Sequence, residues 1–288
     1  MTLHRRFIFI VLLLSVIVTG CSTQFGYRFA DTYLEWQLGK YVSLSGQLET
    51  DVDAAIDELH LWHARSELPR YRDLLDDLLH DLDQGNVEAQ QLFDTTDRMF
   101  ALWQRIRSQV TPYAQTFIPR MSAEQRQELI DNLRERLQEE REEEAERTPE
   151  ERFERSYERM QERAEEWLGR VHPEQRRMLR RWLQERERSD TLWLNYQERW
   201  LEEFEKVITE PEADTFALEL EALFTQPEQL RSEQLQQQSQ ANRELAVAVI
   251  LVIYQSLSPQ QEQHLKNKLR DYRATLTALI DEYAVTSD

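Results

Sequence analysis

Few side chains in this 288-residue chain have the type and spacing for chemistry. Cys21 is the only cysteine, and it closes the tetrapeptide V-T-G-C that begins at Val18. A thiolate is a potent nucleophile, and small residues directly before it leave room for an enzyme to approach. His60, His63 and Glu67 are the one local group of metal-ligating types. Ligands at these spacings on one helix do not converge on one centre, and the chain has no His-x-x-x-His pair. The expectation is therefore no metal. Instead, Trp62-His63 and Leu68-Pro69-Arg70-Tyr71 should form a packed helix corner, with His63 bonded to a backbone group. No serine sits in a Gly-x-Ser-x-Gly elbow, and no glycine-rich loop is built to cradle phosphate. No catalytic residue and no cofactor are expected, so the chain does not read as an enzyme. The rival to that reading is a set of carboxylates that converge only in three dimensions.

The residues before Cys21 give it a context. Arg5 and Arg6 precede the twelve-residue apolar run Phe7 to Val18, and Gly20 is small. This is the layout of a secretory signal peptide. The run is shorter than the ~20 residues a helix needs to cross a bilayer. Val18-Thr19-Gly20-Cys21 resembles the lipobox of bacterial lipoproteins. The resemblance implies cleavage before Cys21, with acylation of its sulfur and of its new amino group. It divides the chain into a signal peptide (1–20), a lipidated tether (21–26) and a helical domain (27–288) with a sub-division near 148. Ser22 stands where retained inner-membrane lipoproteins more often carry Asp, which implies the periplasmic face of the outer membrane. The alternative is an uncleaved anchor with an incidental cysteine.

Composition narrows the rest. The chain holds 35 basic and 54 acidic residues, a formal charge of −19. Removing residues 1–21 takes two arginines and no acid, leaving 33 against 54, or −21. Such an acidic chain repels nucleic acid and anionic lipid alike, since both need a basic surface. With no cysteine pair there is no disulfide, so the domain stands on packing alone. Leu, Glu, Gln, Arg and Ala dominate, all good helix formers, and no long stretch alternates in the strand period. The fold class is all-α: an elongated multi-helix bundle of antiparallel amphipathic helices.

The apolar spacing outlines the helices. Phe25 to Tyr41 is aromatic-rich; Tyr33, Trp36 and Tyr41 suit either a membrane interface or, the preferred reading, the core of a short first helix. Leu48, Val52, Ile56, Leu59 and Trp62 form one helical face that Pro69 should interrupt before Leu75, Leu78 and Leu82 resume it. Leu92, Thr96, Met99, Trp103, Ile106, Val110, Tyr113 and Phe117 form the next face, with Pro112 expected to kink or end it. The Glu- and Arg-rich block 134–166 should break into two helices at Thr148-Pro149-Glu150-Glu151, where Thr148 caps and Glu151 closes a capping box. Glu143 with Arg147, and Glu151 with Arg155, are spaced to pair. This block reads as either a projecting charged arm or a solvated face. Trp193, Tyr196, Trp200, Phe204 and Val207 make a further stripe, and a short helix follows over Phe216 to Phe224. Leu245 to Tyr254 is apolar all round, which predicts the most buried helix. Leu265 to Tyr283 carries the last amphipathic face.

One device recurs. An apolar residue, a cap, a glutamine and two leucines appear at Met121-Ser122 with Gln125, at Val171-His172 with Gln175, and at Leu257-Ser258 with Gln261. The second leucine falls twelve residues after the first apolar one each time, at Leu133, Leu183 and Leu269. A degraded copy starts at Leu44, with Leu48 in place of the glutamine. The physical reading is a recurrent helix start: Ser caps, and Gln returns to the cap backbone. The pattern is also similar to the L-T-x-x-Q motif of Spy-type periplasmic chaperones, which cradle unfolded clients. Tyr27, Asp31, Tyr33, Trp36 and Tyr41, followed by W-H-A-R-S-E-L-P-R-Y from Trp62, resemble a family of uncharacterised bacterial lipoproteins. Together these features imply a non-catalytic envelope lipoprotein that binds other envelope proteins in a chaperone-like manner. The alternative is a spacer or assembly factor with one fixed partner.

Overall fold

The computed structural model describes residues 20–85 and 87–285, and its side chains from Gln24 to Ala284 apart from Asn86. Apart from Gly20, the expected signal peptide lies outside the described residues. Every regular element among them is helical. The chain opens with α1 (Gly20–Arg28) and α2 (Ala30–Leu38), followed by α3 (Gly46–Trp62). A π-helical turn (His63–Glu67) then leads directly into α4 (Leu68–Gln84). Next come α5 (Ala89–Phe117), α6 (Ala123–Glu146), α7 (Pro149–Leu168) and α8 (Pro173–Glu185). The chain continues through α9 (Asp190–Thr209), α10 (Phe216–Thr225), α11 (Glu233–Gln255) and α12 (Pro259–Val285).

The packing is antiparallel, as ion pairs across the seams show. Asp76 meets Arg273 and Asp83 meets Lys266 where α4 lies along α12. Arg134 meets Glu205, and Arg141 meets Glu198 at 2.8 Å, where α6 lies along α9. The apolar interior falls into separate clusters. The largest joins the end of α5 to α6, α9 and α10 through Ile118, Ile130, Leu137, Leu201, Phe204 and Leu220. Another gathers Tyr27, Ala64, Leu68, Tyr71, Leu276 and Leu279 from α1, the π-turn, α4 and α12.

Several sequence expectations hold in detail. The acidic block breaks at Thr148, whose hydroxyl accepts from Glu151 N at 3.2 Å while the Glu151 carboxylate accepts from Thr148 N at 2.8 Å. Arg147 pairs with Glu143 at 2.9 Å. Glu151 spends its carboxylate on that cap rather than on Arg155. The block is no free arm, because Ile130 and Leu137 seat α6 in the main cluster.

Others are corrected. Pro69 opens no loop. The π-turn places Leu68 N on His63 O, five residues back, so the helix passes the proline with a widened turn rather than a break. Pro112 does not end its helix at once, since α5 runs on to Phe117, five residues further. The largest departure is α11. Of Leu245 to Tyr254 only Val247 is buried, while Ile250 is 50% and Val252 46% exposed. A run without period does not say which face goes inward, and here one face meets α5, α8 and α9 while the other meets water. Tyr33 and Trp36, preferred as core residues, are exposed; of the opening aromatics Tyr27 is the one that is buried.

Candidate functional site: two buried polar centres

The repeated motifs start three helices, and the fold brings them together in pairs. Ser122 caps α6 by accepting from Gln125 N at 3.2 Å, and Gln125 Oε1 accepts from Ser122 N at 3.0 Å. Gln125 Nε2 then donates to Ser43 O at 2.9 Å, while Glu128 accepts from Ser43 N and Oγ at 3.1 and 2.7 Å. Those bonds hold the Glu128 carboxyl below its ordinary range. Met121 is buried beneath this joint in the main cluster. So the copy at Met121 is clipped to the segment entering the degraded copy at Leu44.

The other two copies face each other. Val171 is buried and Leu257 half-buried, and their glutamines, Gln175 and Gln261, are 1% and 3% exposed. Gln175 Nε2 donates to Gln261 Oε1 at 3.1 Å, and Gln261 Nε2 returns to Gln175 Oε1 at 2.8 Å. Each oxygen also accepts from its own cap, His172 N at 2.9 Å and Ser258 N at 3.0 Å. The remaining amide protons go to Ser256 Oγ at 3.2 Å and Arg170 O at 2.8 Å. A primary amide offers two donors and two acceptor lone pairs, and here both are fully used. Ser258 caps α12 by accepting from Gln261 N at 3.2 Å. This closed network locks the start of α8 to the start of α12. Its groups face one another and have no free valence for a client.

The second centre lies at the π-turn. His63 is buried between two hydroxyls, Tyr27 at 2.8 Å from Nδ1 and Tyr71 at 3.1 Å from Nε2. The expected backbone partner is thus replaced by side chains from α1 and α4. Burial, reinforced by His60, pulls the His63 pKa down to about 4, so its imidazole is neutral at pH 7. A neutral imidazole has one donor and one acceptor, so one tyrosine donates and the other accepts. Burial raises both phenols above their ordinary values. His60 stacks edge-on to Tyr27 and Tyr283, with its Nδ1 3.4 Å from Asp31.

Glu67 ends the π-turn with 0% exposure. Arg105 of α5 reaches it with Nε at 3.0 Å from both oxygens and Nη2 at 2.8 Å from one. The three side chains weighed as metal ligands therefore diverge: His63 to tyrosines, His60 to Asp31, Glu67 to arginine. No group of three or more such ligands suited to a metal occurs among the described residues. The pairing with Tyr27 and Arg105 was not legible in the sequence, since both partners lie more than thirty positions away. The widened turn itself has a local companion in Pro69, which has no N–H to donate and follows the turn just after Leu68.

Cys21 lies in the first turn of α1, and its side chain is outside the description. No helix among the described residues is long and apolar enough to cross a membrane. No curated protein and no solved structure matches the chain. A family model matches residues 40–236, which is 197 of the 288 residues and takes in the π-turn, Arg105 and the motif copies at Met121 and Val171. The chain belongs to DUF6279, a family of unknown function.

Proposed function

We propose that the chain is a non-catalytic lipoprotein of the bacterial envelope that works by binding other envelope proteins. In this reading it is held at the periplasmic face of the outer membrane by lipid on Cys21. The observation that carries the non-catalytic part is where the chemistry-bearing side chains are spent. His63 is neutral between two tyrosines, Glu67 is clamped by Arg105, and Gln175 and Gln261 saturate each other. Each is committed to holding helices together.

Burial of two of the three motif glutamines, Gln175 and Gln261, favours a fixed partner over client cradling. A client-binding surface would display the repeated motifs, whereas here they serve as joints. Exposed apolar side chains lie elsewhere, among them Met99 and Phe100 on α5, Leu218 on α10, and Ile250 and Val252 on α11. Apolar groups scattered singly are ordinary on a protein surface, so they do not by themselves mark a client-cradling patch.

Photocrosslinkers at Phe100 and Ile250 in intact cells test the reading. One stoichiometric envelope partner is expected. A broad set of unfolded envelope proteins would instead return the chaperone-like alternative. For the anchor, Cys21→Ser should leave an uncleaved precursor or release the protein to the periplasm, read by fractionation and N-terminal mass. Unchanged processing and membrane partition would exclude lipidation at Cys21.

A further inference from the structure

Phe25, Phe29, Tyr33 and Trp36 are spaced by four, four and three residues, so they share one face of the α1–α2 segment. They are 63%, 51%, 44% and 58% exposed. The rings touch in two pairs, Phe25 with Phe29 at 4.9 Å and Tyr33 with Trp36 at 5.7 Å between centroids. Lys40 continues the stripe with its Nζ 3.2 Å over the Trp36 ring. The acids of these helices turn the other way. Asp31 faces His60, and Glu35 turns toward α3, where desolvation first, and then the nearby carboxylates of Asp53, Asp57 and Asp31, raise its carboxyl above the ordinary value. Tyr27, on the inward face, fixes the stripe's orientation through His63.

We propose that this stripe rests in the headgroup region of the membrane, so that the bundle is oriented on the lipid surface as well as tethered to it. The occupant is set by what precedes the stripe. The apolar run Phe7 to Val18 and Cys21 lead straight into α1, and Phe25 is four residues past Cys21, about 6 Å along a helix axis. Lipid joined to Cys21 is thereby tethered within reach of the first ring. Tyr and Trp with a flanking cation are the side chains that settle at a membrane–water interface, and an amphipathic segment beside an acyl anchor adds a second attachment. The proposal rests on the membrane-anchored reading of the N-terminus but goes beyond it, because a tether alone leaves the stripe in water.

Trp36 supplies the test, as it is the only exposed one of the seven tryptophans. The full protein, processed and purified from membranes, is placed in vesicles of zwitterionic phosphatidylethanolamine and phosphatidylcholine carrying brominated acyl chains. Quenching of tryptophan emission is expected, and most of it should vanish in Trp36→Phe, a change at an exposed ring that leaves the helical spectrum intact. Equal quenching in wild type and Trp36→Phe would overturn the proposal. So would a Trp36 that stays open to aqueous iodide in vesicles, or one shielded by a second copy without bromolipid quenching. The mass of the N-terminal peptide reports acylation separately. If acyl is absent, the anchor reading fails on its own, and bromolipid quenching of Trp36 still decides the stripe either way.

Discussion

The Gln175–Gln261 joint and the His63–Glu67 centre both bury polar side chains where helices meet, yet they satisfy them by different means. At the joint, two neutral amides from equivalent positions in two motif copies complete each other. At the π-turn, an ionisable acid relies mainly on Arg105 of α5, with Arg70 of α4 farther off at 3.7 Å, and an imidazole stays buried by remaining neutral. A neutral network that is fully paired has no charge to desolvate, so its stability should not follow pH. A buried carboxylate depends on its partners' charge, and a buried histidine depends on the proton concentration. The joint should therefore behave as a passive lock, and the π-turn as the point where the fold is most easily opened.

Removing the arginine should show the largest difference. Arg105→Leu leaves the Glu67 carboxylate buried without its main counter-charge, a lesion worth 3–5 kcal/mol in enclosed sites. The Arg105 side chain is 43% exposed, so water offsets part of the loss and about 3 kcal/mol is expected. Urea unfolding of the single variant and of Glu67→Met/Arg105→Leu checks this, since the double variant should recover much of the stability. A single variant within 0.5 kcal/mol of wild type, roughly the size of an ordinary surface change, would place the strength of this centre elsewhere.

Acid should separate the two regions next. The His63 pKa is depressed from 6.5 to about 4 in the folded chain, so the unfolded chain binds the proton first. The stabilisation is complete above pH 6.5, falls as pH drops below it, and is gone by about pH 4. The total is about 3 kcal/mol at ~1.4 kcal/mol per unit. The groups facing His63 are Tyr27, Tyr71 and His60, and burial keeps both phenols protonated throughout this window. Carboxylates held low by surface partners, such as Asp51, Asp83 and Glu282, add their own loss only in the more acidic carboxylate range. His63→Gln should flatten the slope between pH 6.5 and 4, whereas Gln175→Leu should lower the curve without changing its slope.

The amide pair should respond more weakly but with strong coupling. Gln175→Leu strands both the buried amide of Gln261 and the backbone of His172, at about 2 kcal/mol for a buried polar group left unpaired. Gln261→Leu does the same to Gln175 and Ser258. The double variant should cost less than the sum by about 1 kcal/mol, because neither glutamine is then stranded. Strict additivity in a double-mutant cycle would mean that the two amides act separately.

What the sequence disclosed follows from the reach of each signal. Caps, boxes and helix faces are local, so Thr148 with Glu151, Ser122 with Gln125 and the α9 stripe were legible from residues three or four apart. The meeting of Gln175 with Gln261 spans 86 positions, and nothing in either copy announces it. The α11 run misled for a related reason. Its hydrophobicity was plain, but without a period it carried no direction, and only the placement of α5, α8 and α9 decided that Val247 goes in and Val252 stays out. Tyr27, Tyr33 and Trp36 looked equivalent by type, and the partner His63 is what sends Tyr27 inward.

The finest test of the comparison uses the same motif in its exposed setting. Gln125 makes the same return bond to its cap as Gln175 does, but its second bond goes to a backbone carbonyl at the surface, Ser43 O, since the degraded copy offers Leu48 where a glutamine would stand. Water can replace either bond, so Gln125→Leu should lose only the capping increment, roughly 0.5–1 kcal/mol. Glu128 continues to hold Ser43 through its two bonds, which limits the loss further. If Gln125→Leu proves as damaging as Gln175→Leu, the strength of the motif lies in the cap itself, and burial of the paired amides is incidental. A Gln125→Leu effect less than half that of Gln175→Leu would assign the difference to the reciprocal pair, which the joint at Met121 lacks.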